Sequence, residues 1–267
     1  MQSEKKFVNN DIYFIEVVQD KIIMNDNYDG INVLNNELKI IKNLHLFDDI
    51  VIDSSYVKDN EIILYCYENS CFVHLNVDTY VYKVIPLSAE FSDLSFLSLY
   101  EWKDNELILL ADAGSVLVRV NMLSYIVQKE YVEKKTFPIK STWEKLNKFI
   151  VHKVYPNRQI AIVEMNNVLK IINYMDDTGL ILNIKNIDFY DIEVMENFVA
   201  LINEFEVSVW HGNQNAKLVP LPKGYRFLRC KFTCVYERKY LLLLLCNNAD
   251  SSICKLQKYS METDLFS

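Results

Sequence analysis

Residues 61–67 read Glu-Ile-Ile-Leu-Tyr-Cys-Tyr, an apolar run that ends at the polar turn Glu68-Asn69-Ser70. A second, partly alternating run follows at residues 71–75, and a third at 80–87 after another polar turn. Residues 50–57 supply a further apolar run on the N-terminal side. Short apolar runs separated by turn residues indicate strands, so this stretch predicts four consecutive antiparallel β-strands.

The same arrangement returns six times along the 267 residues. Each copy has a polar pair before its densest apolar run, and the pairs are Asp20-Lys21, Asn60-Glu61, Asn105-Glu106, Arg158-Gln159, Glu196-Asn197 and Arg238-Lys239. Their first positions lie 40, 45, 53, 38 and 42 residues apart. A period of about 44 residues built from strands and turns is typical of propeller blades, in which each repeat is one four-stranded sheet.

The repeat therefore resembles the β-propeller superfamily over essentially the whole chain, although the Trp-Asp and Gly-His pairs of WD40 blades are missing. The resemblance implies an all-β fold, a six-bladed β-propeller of four-stranded antiparallel blades in a single domain of residues 1–267. The blades are expected at residues 11–46, 50–87, 96–132, 149–185, 190–221 and 225–267. Residues 133–148 form an insertion, in which Ser141 and Glu144 match a capping box and predict a short helix at 142–148.

The two ends of the chain are expected to complete the ring. The last blade has a weak fourth strand, which we place at residues 264–266. Residues 1–10 precede the first blade and contain Phe7-Val8. Because an open ring exposes strand edges, we predict that this N-terminal segment pairs with the last blade and helps to close the ring.

Composition narrows the possible partners and the compartment. The net charge of −8 and the isoelectric point near 5.1 argue against non-specific binding to nucleic acid or to anionic membranes. No apolar run approaches the ~20 residues of a membrane-spanning helix, and residues 1–6 lead into no signal core, so we expect a cytoplasmic protein. The six cysteines are then expected as free thiols, with cross-strand disulfides at 66–71 or 246–254 as the alternative.

Catalytic and metal-binding signatures are weak. The four histidines fall at different phases of four repeats, whereas ligands of one central metal should recur at one phase. Calcium would need oxygen ligands at equivalent inner-strand positions, and the candidates Asp53, Asn147 and Asp191 do not share a register. No phosphate-binding or nucleophile motif is present. We therefore expect no catalytic residues, no metal and no cofactor.

Acidic turns and nearby aromatic residues form the clearest surface feature. In a propeller, the turns between the second and third strands share one face with the crossovers between blades. Those turns contain carboxylates but neither lysine nor arginine, whereas the turns of the opposite face mix both signs. The candidate partner-binding residues are Asp26, Tyr28, Asp29, Phe47, Asp48, Asp49, Asp112, Trp143, Glu164, Glu204, Phe205, Glu206 and Asp250.

The sequence thus favours a non-enzymatic interaction module whose acidic loop face binds a basic protein. A concrete version is an immunity protein or inhibitor that neutralises a cationic toxin. Three alternatives stay open. Asp and Asn are common in turns, so the acidic face has a purely conformational explanation. A metal-dependent propeller hydrolase, similar to lactonases or glycosidases, would need carboxylates or histidines that converge at the mouth of the channel. Lastly, a structural subunit of a larger assembly would carry an apolar patch on a blade flank.

Overall fold

The structure is a computed structural model that describes residues 1–91, 98–111, 116–131, 149–155, 160–165, 168–173, 179–182, 189–212, 214 and 216–266. Strands dominate these residues. A short 3-10 helix covers Ala89–Phe91, and a π-helical turn covers Met261–Leu265. Nowhere in these ranges is there a helix with the length and apolar character needed to cross a membrane. The predicted helix at 142–148 lies outside the described residues.

The strands follow one another with the spacing that the repeat predicts. The first half contains β1 (Ser3–Phe7), β2 (Ile15–Val18), β3 (Lys21–Asp26), β4 (Gly30–Leu34), β5 (Ile40–His45), β6 (Ser54–Lys58), β7 (Glu61–Cys66), β8 (Cys71–Asn76), β9 (Tyr82–Pro86), β10 (Ser98–Lys103), β11 (Glu106–Ala111), β12 (Val116–Asn121) and β13 (Val127–Tyr131). The second half contains β14 (Phe149–Tyr155), β15 (Ile160–Met165), β16 (Val168–Asn173), β17 (Gly179–Leu182), β18 (Asp191–Met195), β19 (Phe198–Ile202), β20 (Val207–His211), β21 (Lys217–Val219), β22 (Tyr225–Val235), β23 (Arg238–Asn247) and β24 (Cys254–Ser260).

In the described part of the chain these strands form six four-stranded sheets. Five of them take their strands in chain order: sheet 1 (β2–β5), sheet 2 (β6–β9), sheet 3 (β10–β13), sheet 4 (β14–β17) and sheet 5 (β18–β21). Sheet 6 has the order β1-β24-β23-β22. Every strand pairing with a described register is antiparallel. All of these pairings except that of β1 with β24 join strands that are connected by two to six residues, as hairpins require.

The N-terminal pairing is confirmed, and the expected strand at 264–266 is wrong. Strand β1 pairs with β24 from Ser3 opposite Lys258 to Phe7 opposite Cys254. The chain turns instead after β24, because Ser260 accepts a hydrogen bond from the Thr263 amide and donates its own amide to Asp264. Since β1 already occupies the edge of β24, residues 264–266 could not have added a strand there.

Two compact units can be distinguished by their internal contacts. Unit 1 comprises residues 1–69, 73–83 and 188–267, and unit 2 comprises residues 70–72 and 84–187. Within unit 1 the first strands of sheets 5, 6, 1 and 2 are neighbours, with contacts of β22 to β18 and β2, and of β2 to β6. Within unit 2 the first strands β10 and β14 are likewise in contact.

The leucine run 241–245 shows why the second strands are almost continuously apolar. Leu241, Leu243 and Leu245 pack in a core cluster with residues of sheet 5, including Val209. Leu242 and Leu244 pack on the opposite face with residues of sheet 1, including Ile22. Successive side chains of a strand point to opposite faces, so a strand covered on both faces needs apolar residues at every position. The continuous apolar run at 241–245 is therefore explained by sheets that pack against both faces of β23.

Asparagine shapes the turns that follow the third strands. The Asn76 side chain accepts hydrogen bonds from the amides of residues 78 and 79, and Asn121 does the same for residues 123 and 124. Four residues after each asparagine, Tyr80 and Tyr125 have φ of 60° and 58°. The side-chain oxygen replaces a backbone acceptor and holds the turn, which lets a chain with five glycines make so many hairpins.

Candidate functional site

The predicted turns and crossovers do meet at one end of the sheets in unit 1. The Ile50 amide donates to the carbonyl of Tyr28 at 2.8 Å, and the Phe227 amide donates to that of Glu204 at 3.0 Å. At sheet 6 the Asn10 amide donates to the Ser252 carbonyl at 3.0 Å. Each turn between a second and a third strand is thus joined to a segment that enters the next sheet. We call this set of turns and entering segments of unit 1 the acidic end.

The structure places most of the candidate partner-binding residues at the acidic end, but not all. Ten of them belong to unit 1: Asp26, Tyr28, Asp29, Phe47, Asp48, Asp49, Glu204, Phe205, Glu206 and Asp250. Asp112 and Trp143 lie outside the described residues. Glu164 was expected in a turn, but it lies inside β15, opposite Leu169 of β16. Strand β15 extends further than the polar character of Glu164 indicated, because the backbone ladder continues through it.

Some of these side chains serve the fold. The two carboxylate oxygens of Asp26 accept hydrogen bonds from the side-chain amides of Asn10 and Asn43. Glu206 accepts one from the Ser208 hydroxyl, and Asp250 accepts two from Ser252. By contrast Asp29, Asp49 and Glu204 are exposed, and Phe205 is 74% exposed. The latter set is therefore available to a partner without disturbing the turns.

The carboxylates of the acidic end have no basic counterpart within the described residues. No lysine or arginine nitrogen lies within 4.0 Å of any of them, and only Asp48 faces a histidine, His45, at 3.6 Å. The acidic residues concerned are Asp11, Asp26, Asp29, Asp48, Asp49, Asp53, Glu68, Glu204, Glu206 and Asp250. Lys223 and Arg226 also lie at this end, but within the described residues neither forms an ion pair of 4.0 Å or less with these acids. The acidic end therefore holds more carboxylates than basic side chains.

Several charges at the opposite end of the same sheets are paired within the molecule. Lys21 of sheet 1 lies 2.6 Å from Asp78 of sheet 2, and Asn60 donates to the other oxygen of that carboxylate. The Lys21 ammonium lowers the pKa of the Asp78 carboxyl through a hydrogen bond, and Asn60 adds a second. Lys239 likewise pairs with Glu196. Pairing at this end is partial, since the exposed Asp59 and Glu237 form no ion pair in the described chain.

An aromatic pair stands among the unpaired carboxylates. The rings of Tyr13 and Tyr28 stack with centroids 5.7 Å apart, and Tyr28 is 40% exposed. The Tyr28 hydroxyl donates to Asp11 at 3.0 Å. Burial raises the pKa of Tyr13 to about 12, and the same cause raises that of Tyr28, so both remain neutral donors at physiological pH. One face of Tyr28 is therefore covered by Tyr13, while 40% of the residue stays exposed.

Buried asparagine fixes the backbone beneath this pair. Asn25 is completely buried, and its side-chain oxygen accepts from the amides of Tyr13 and Phe14, both at 2.9 Å. Its side-chain nitrogen donates to the carbonyls of Asp11 at 2.7 Å and Asn27 at 2.8 Å. All four hydrogen-bonding positions of the amide are thus used. The sequence analysis assigned no role to Asn25, which the structure places inside β3.

A second polar cluster lies on the first strands of unit 1. The Lys231 ammonium is 2.7 Å from Glu193 and 3.0 Å from Glu16, and Ser55 donates to the same Glu16 oxygen at 2.7 Å. Glu16 and Glu193 occupy equivalent positions, opposite Ile23 of β3 and Ala200 of β19. A sequence pattern could have identified these two glutamates, since each lies three residues before the turn that follows the first strand of its repeat.

The structure does not group the inner-strand residues that the sequence analysis considered as calcium ligands. Asp53 instead accepts a hydrogen bond from the Tyr67 amide at 2.6 Å, Asp191 begins β18, and Asn147 lies outside the described residues. Among the residues that the structure covers, no three His, Cys, Asp or Glu side chains are grouped to hold a metal ion. Between the two equivalent glutamates the cation is the ammonium of Lys231.

Comparison with known proteins identifies the fold. No protein-family model matches the chain, and no curated protein sequence matches it. Among solved structures, the β-propeller domain of Myceliophteria thermophila Cps50 (Swd1) is similar with a TM-score of 0.56 and 10% identity, covering 96% of this chain and 99% of that one. Hsv2 of Kluyveromyces marxianus gives a TM-score of 0.53 at 10% identity, covering 88% and 91%. A likeness of this extent at so low an identity shows the fold alone, and that fold is a divergent β-propeller.

Proposed function

We propose that this protein is a non-enzymatic interaction module that binds a basic protein partner at its acidic end and uses no cofactor. The observation that carries the proposal is the contrast between the two ends of unit 1. Lysines neutralise some carboxylates at one end, as in Lys21 with Asp78, whereas no lysine or arginine nitrogen lies within 4.0 Å of the described carboxylates at the other. Unpaired surface charge of one sign raises the encounter rate with a partner of the opposite sign.

Exposed aromatic residues at the acidic end are suited to supply binding energy, which surface charge alone provides poorly. Tyr28 and Phe205 are 40% and 74% exposed at the acidic end, and Tyr190 is 46% exposed in the segment entering sheet 5. Aromatic side chains that bury a large area dominate the energetics of protein interfaces, whereas rim charges mainly set the association rate and orientation. We assign anchoring to these aromatics and steering to Asp29, Asp49 and Glu204.

The biological setting that fits best is the cytoplasm, with the protein acting as an immunity protein or inhibitor of a cationic toxin. An inhibitor works by occupying a surface, so it needs no catalytic residues of its own. We also propose that the six sheets form one closed six-bladed ring within a single domain. The pairing of β1 with β24 supports closure, because it joins the N-terminal strand to the last sheet. Small-angle scattering tests this, since a compact chain of 267 residues has a radius of gyration of about 18 Å.

The binding test compares two triple variants that remove equal charge. The first, Asp29→Asn, Asp49→Asn and Glu204→Gln, neutralises the acidic end. The second neutralises three exposed acids elsewhere in unit 1 (Asp59→Asn, Glu237→Gln and Glu262→Gln). Each variant and the wild type are used to capture proteins from a lysate of the source cells at about 50 mM and about 300 mM NaCl. Captured proteins are quantified by mass spectrometry.

We expect the wild type and the second variant to enrich the same basic proteins, with less bound at the higher salt concentration. The first variant should lose them at both concentrations. If both variants retain the same proteins, or if capture is indifferent to salt, the acidic end is not the binding surface. The second variant controls for the general effect of lower net charge.

A second candidate, a structural subunit docked through blade flanks, is favoured by one observation. The outer strand of sheet 1 and the residue before the outer strand of sheet 2 expose apolar side chains: Ile40 is 44% exposed, Ile41 46% and Val81 68%. Tyr82 joins the two edges by donating to the His45 carbonyl at 3.0 Å. The variant Ile41→Asp with Val81→Asp would abolish capture in this case and leave it unchanged if the acidic end binds.

A further inference from the structure

Two cysteines face each other across the hairpin of sheet 6. In the register of β23 and β24, Cys246 lies directly opposite Cys254, and both are free thiols. The Asn247 amide donates to the Ile253 carbonyl at 2.9 Å. The neighbouring pair 247/253 is therefore hydrogen-bonded, which makes 246/254 a non-hydrogen-bonded pair, the arrangement in which opposing side chains are closest. Its expected Cα separation of about 4.5 Å falls within the range that a disulfide spans.

The two thiols also share their surroundings. The Sγ of Cys246 is 3.7 Å from the Ser251 carbonyl oxygen, and the Sγ of Cys254 is 3.4 Å from the same oxygen. Each thiol is within hydrogen-bonding reach of the other. Both sulfurs thus converge on one carbonyl inside the turn, so that bond formation needs only a small approach of two side chains already in contact.

We propose that Cys246 and Cys254 form a dithiol that a peroxide oxidises to an intramolecular disulfide in the folded protein, and that a thiol reductant restores. In the first step one sulfur attacks an oxygen of hydrogen peroxide, the O–O bond breaks, the thiol proton passes to the leaving hydroxide, and a sulfenic acid and water result. In the second step the other sulfur attacks the sulfenic sulfur, the S–S bond forms, the S–O bond breaks, and a second water leaves. The two thiols lose two electrons in total, which the peroxide takes up.

Burial sets the rate of this reaction. Cys246 is 2% exposed and Cys254 is fully buried. Burial raises the pKa of the Cys254 thiol to about 12 and also raises that of Cys246, so little thiolate is present while the turn stays closed. Oxidation therefore proceeds through transient opening of residues 247–253, a short and mostly exposed turn. The exposed Cys234 reacts first, and its substitution removes intermolecular products.

The disulfide would clamp the place where the chain ends meet. Cys254 pairs with Phe7 of β1, and the Ser252 carbonyl holds the Asn10 amide. A bond across residues 247–253 restricts the unfolded chain and keeps this turn in the conformation that retains the N-terminal segment. Closing so short a loop is expected to raise Tm by roughly 5 °C.

Mass spectrometry reads the reaction directly. Trypsin cuts after Lys239 and Lys255, so both cysteines fall on one peptide, residues 240–255, while Cys66 and Cys71 fall on residues 59–83. Folded Cys234→Ser protein is treated with hydrogen peroxide, quenched with catalase, alkylated in denaturant and digested. We expect peptide 240–255 to lose two hydrogens and take up no alkyl group, to regain both thiols with dithiothreitol, and to accompany the rise in Tm. Adding Cys254→Ser should abolish the Tm change.

Two results would overturn the proposal. One is alkylation of both cysteines in peptide 240–255 under conditions in which Cys234 of the wild-type protein is fully oxidised. The other is formation of the disulfide only after the protein has been unfolded in urea. Because the first readout uses the native pair, it remains decisive even if Cys254→Ser fails to fold.

Discussion

Lys231 and Glu193 form an ion pair of 2.7 Å between the first strands of two successive sheets, with side chains 18% and 9% exposed. The same ammonium reaches Glu16 of a third sheet at 3.0 Å. The Lys231 ammonium therefore joins β22, β18 and β2. Without it, the two largely buried carboxylates of Glu16 and Glu193 would repel each other. The arrangement depends on all three charges, since removal of the ammonium takes away the cation that joins the two acids.

We predict that Lys231→Met lowers the free energy of unfolding by about 2–4 kcal/mol, because it removes the ammonium that offsets the charge of two largely buried carboxylates. Lys258→Met is the matched control. That lysine is also buried, and it donates to the Asn36 carbonyl at 2.9 Å with no carboxylate oxygen within 4.0 Å in the described chain. Its loss should cost less than about 1 kcal/mol, since methionine keeps most of the buried stem. Urea unfolding measures both, and equal losses would mean that the ion pairs add nothing.

Asn25→Ala should lower the free energy of unfolding by about 3–4 kcal/mol, because it deprives four backbone groups of their partners in a buried site. Asn69 makes a similar link in sheet 2, accepting from the Val51 amide and donating to the Asp49 carbonyl, but it is only half-buried. Water can replace it, so Asn69→Ala should cost about 1 kcal/mol. A smaller loss for Asn25→Ala than for Asn69→Ala in urea titrations would contradict this account.

Gly30 is required by close approach of a neighbouring strand. A Cβ at this position would lie 2.0 Å from the Leu44 carbonyl oxygen, a backbone atom that cannot move without breaking the β4–β5 ladder. We expect Gly30→Ala to lower Tm by more than about 8 °C or to prevent folding. Gly212→Ala is the control: its Cβ would meet nothing within 4 Å, and it carries only the cost of a φ of 56°. Similar melting temperatures for the two variants would refute the steric explanation.

His74 should make the protein less stable in mild acid. Its side chain is 12% exposed and lies 3.3 Å from Glu61; burial lowers its pKa, and the carboxylate opposes this only in part. The unfolded chain takes up a proton near pH 6.5, whereas the folded protein takes it up at lower pH. Stability therefore falls as the pH drops through the interval below 6.5.

The variant His74→Gln removes this titration. Urea midpoints of the wild type and the variant should differ less from each other at pH 8 than at pH 5.5, with the variant losing less on acidification. NMR titration of the His74 ring should give a pKa below that of an unfolded control. A wild-type protein that gains stability from His74 at pH 5.5 would reverse the sign of the effect and exclude the interpretation.

Local sequence patterns predicted the sheets, because the apolar pattern of each strand reflects which of its faces are buried. The run 241–245 is apolar at every position since both faces of β23 are covered, and Asn76 and Asn121 mark turns through bonds to amides two and three residues away. The same reasoning failed at residues 264–266, because the edge of β24 was already taken by β1. It also placed Glu164 in a turn, because a charged residue is uncommon in so apolar a strand, whereas the structure has it inside β15.

What the sequence alone determined is the repeat and the acidic composition of its turns, since spacing and composition are properties of neighbouring residues. The pairing of the N-terminal segment with the last sheet was predicted from the weak last repeat and the need to cover an open strand edge. What only the tertiary structure decided is which charges find partners. Lys231 meets Glu16 from 215 residues away, and Lys21 meets Asp78 from another sheet, while Asp29 and Asp49 meet no base within the described chain. An ion pair forms where folding brings two side chains within a few ångströms, and that distance is fixed by the packing of whole sheets rather than by the order of residues.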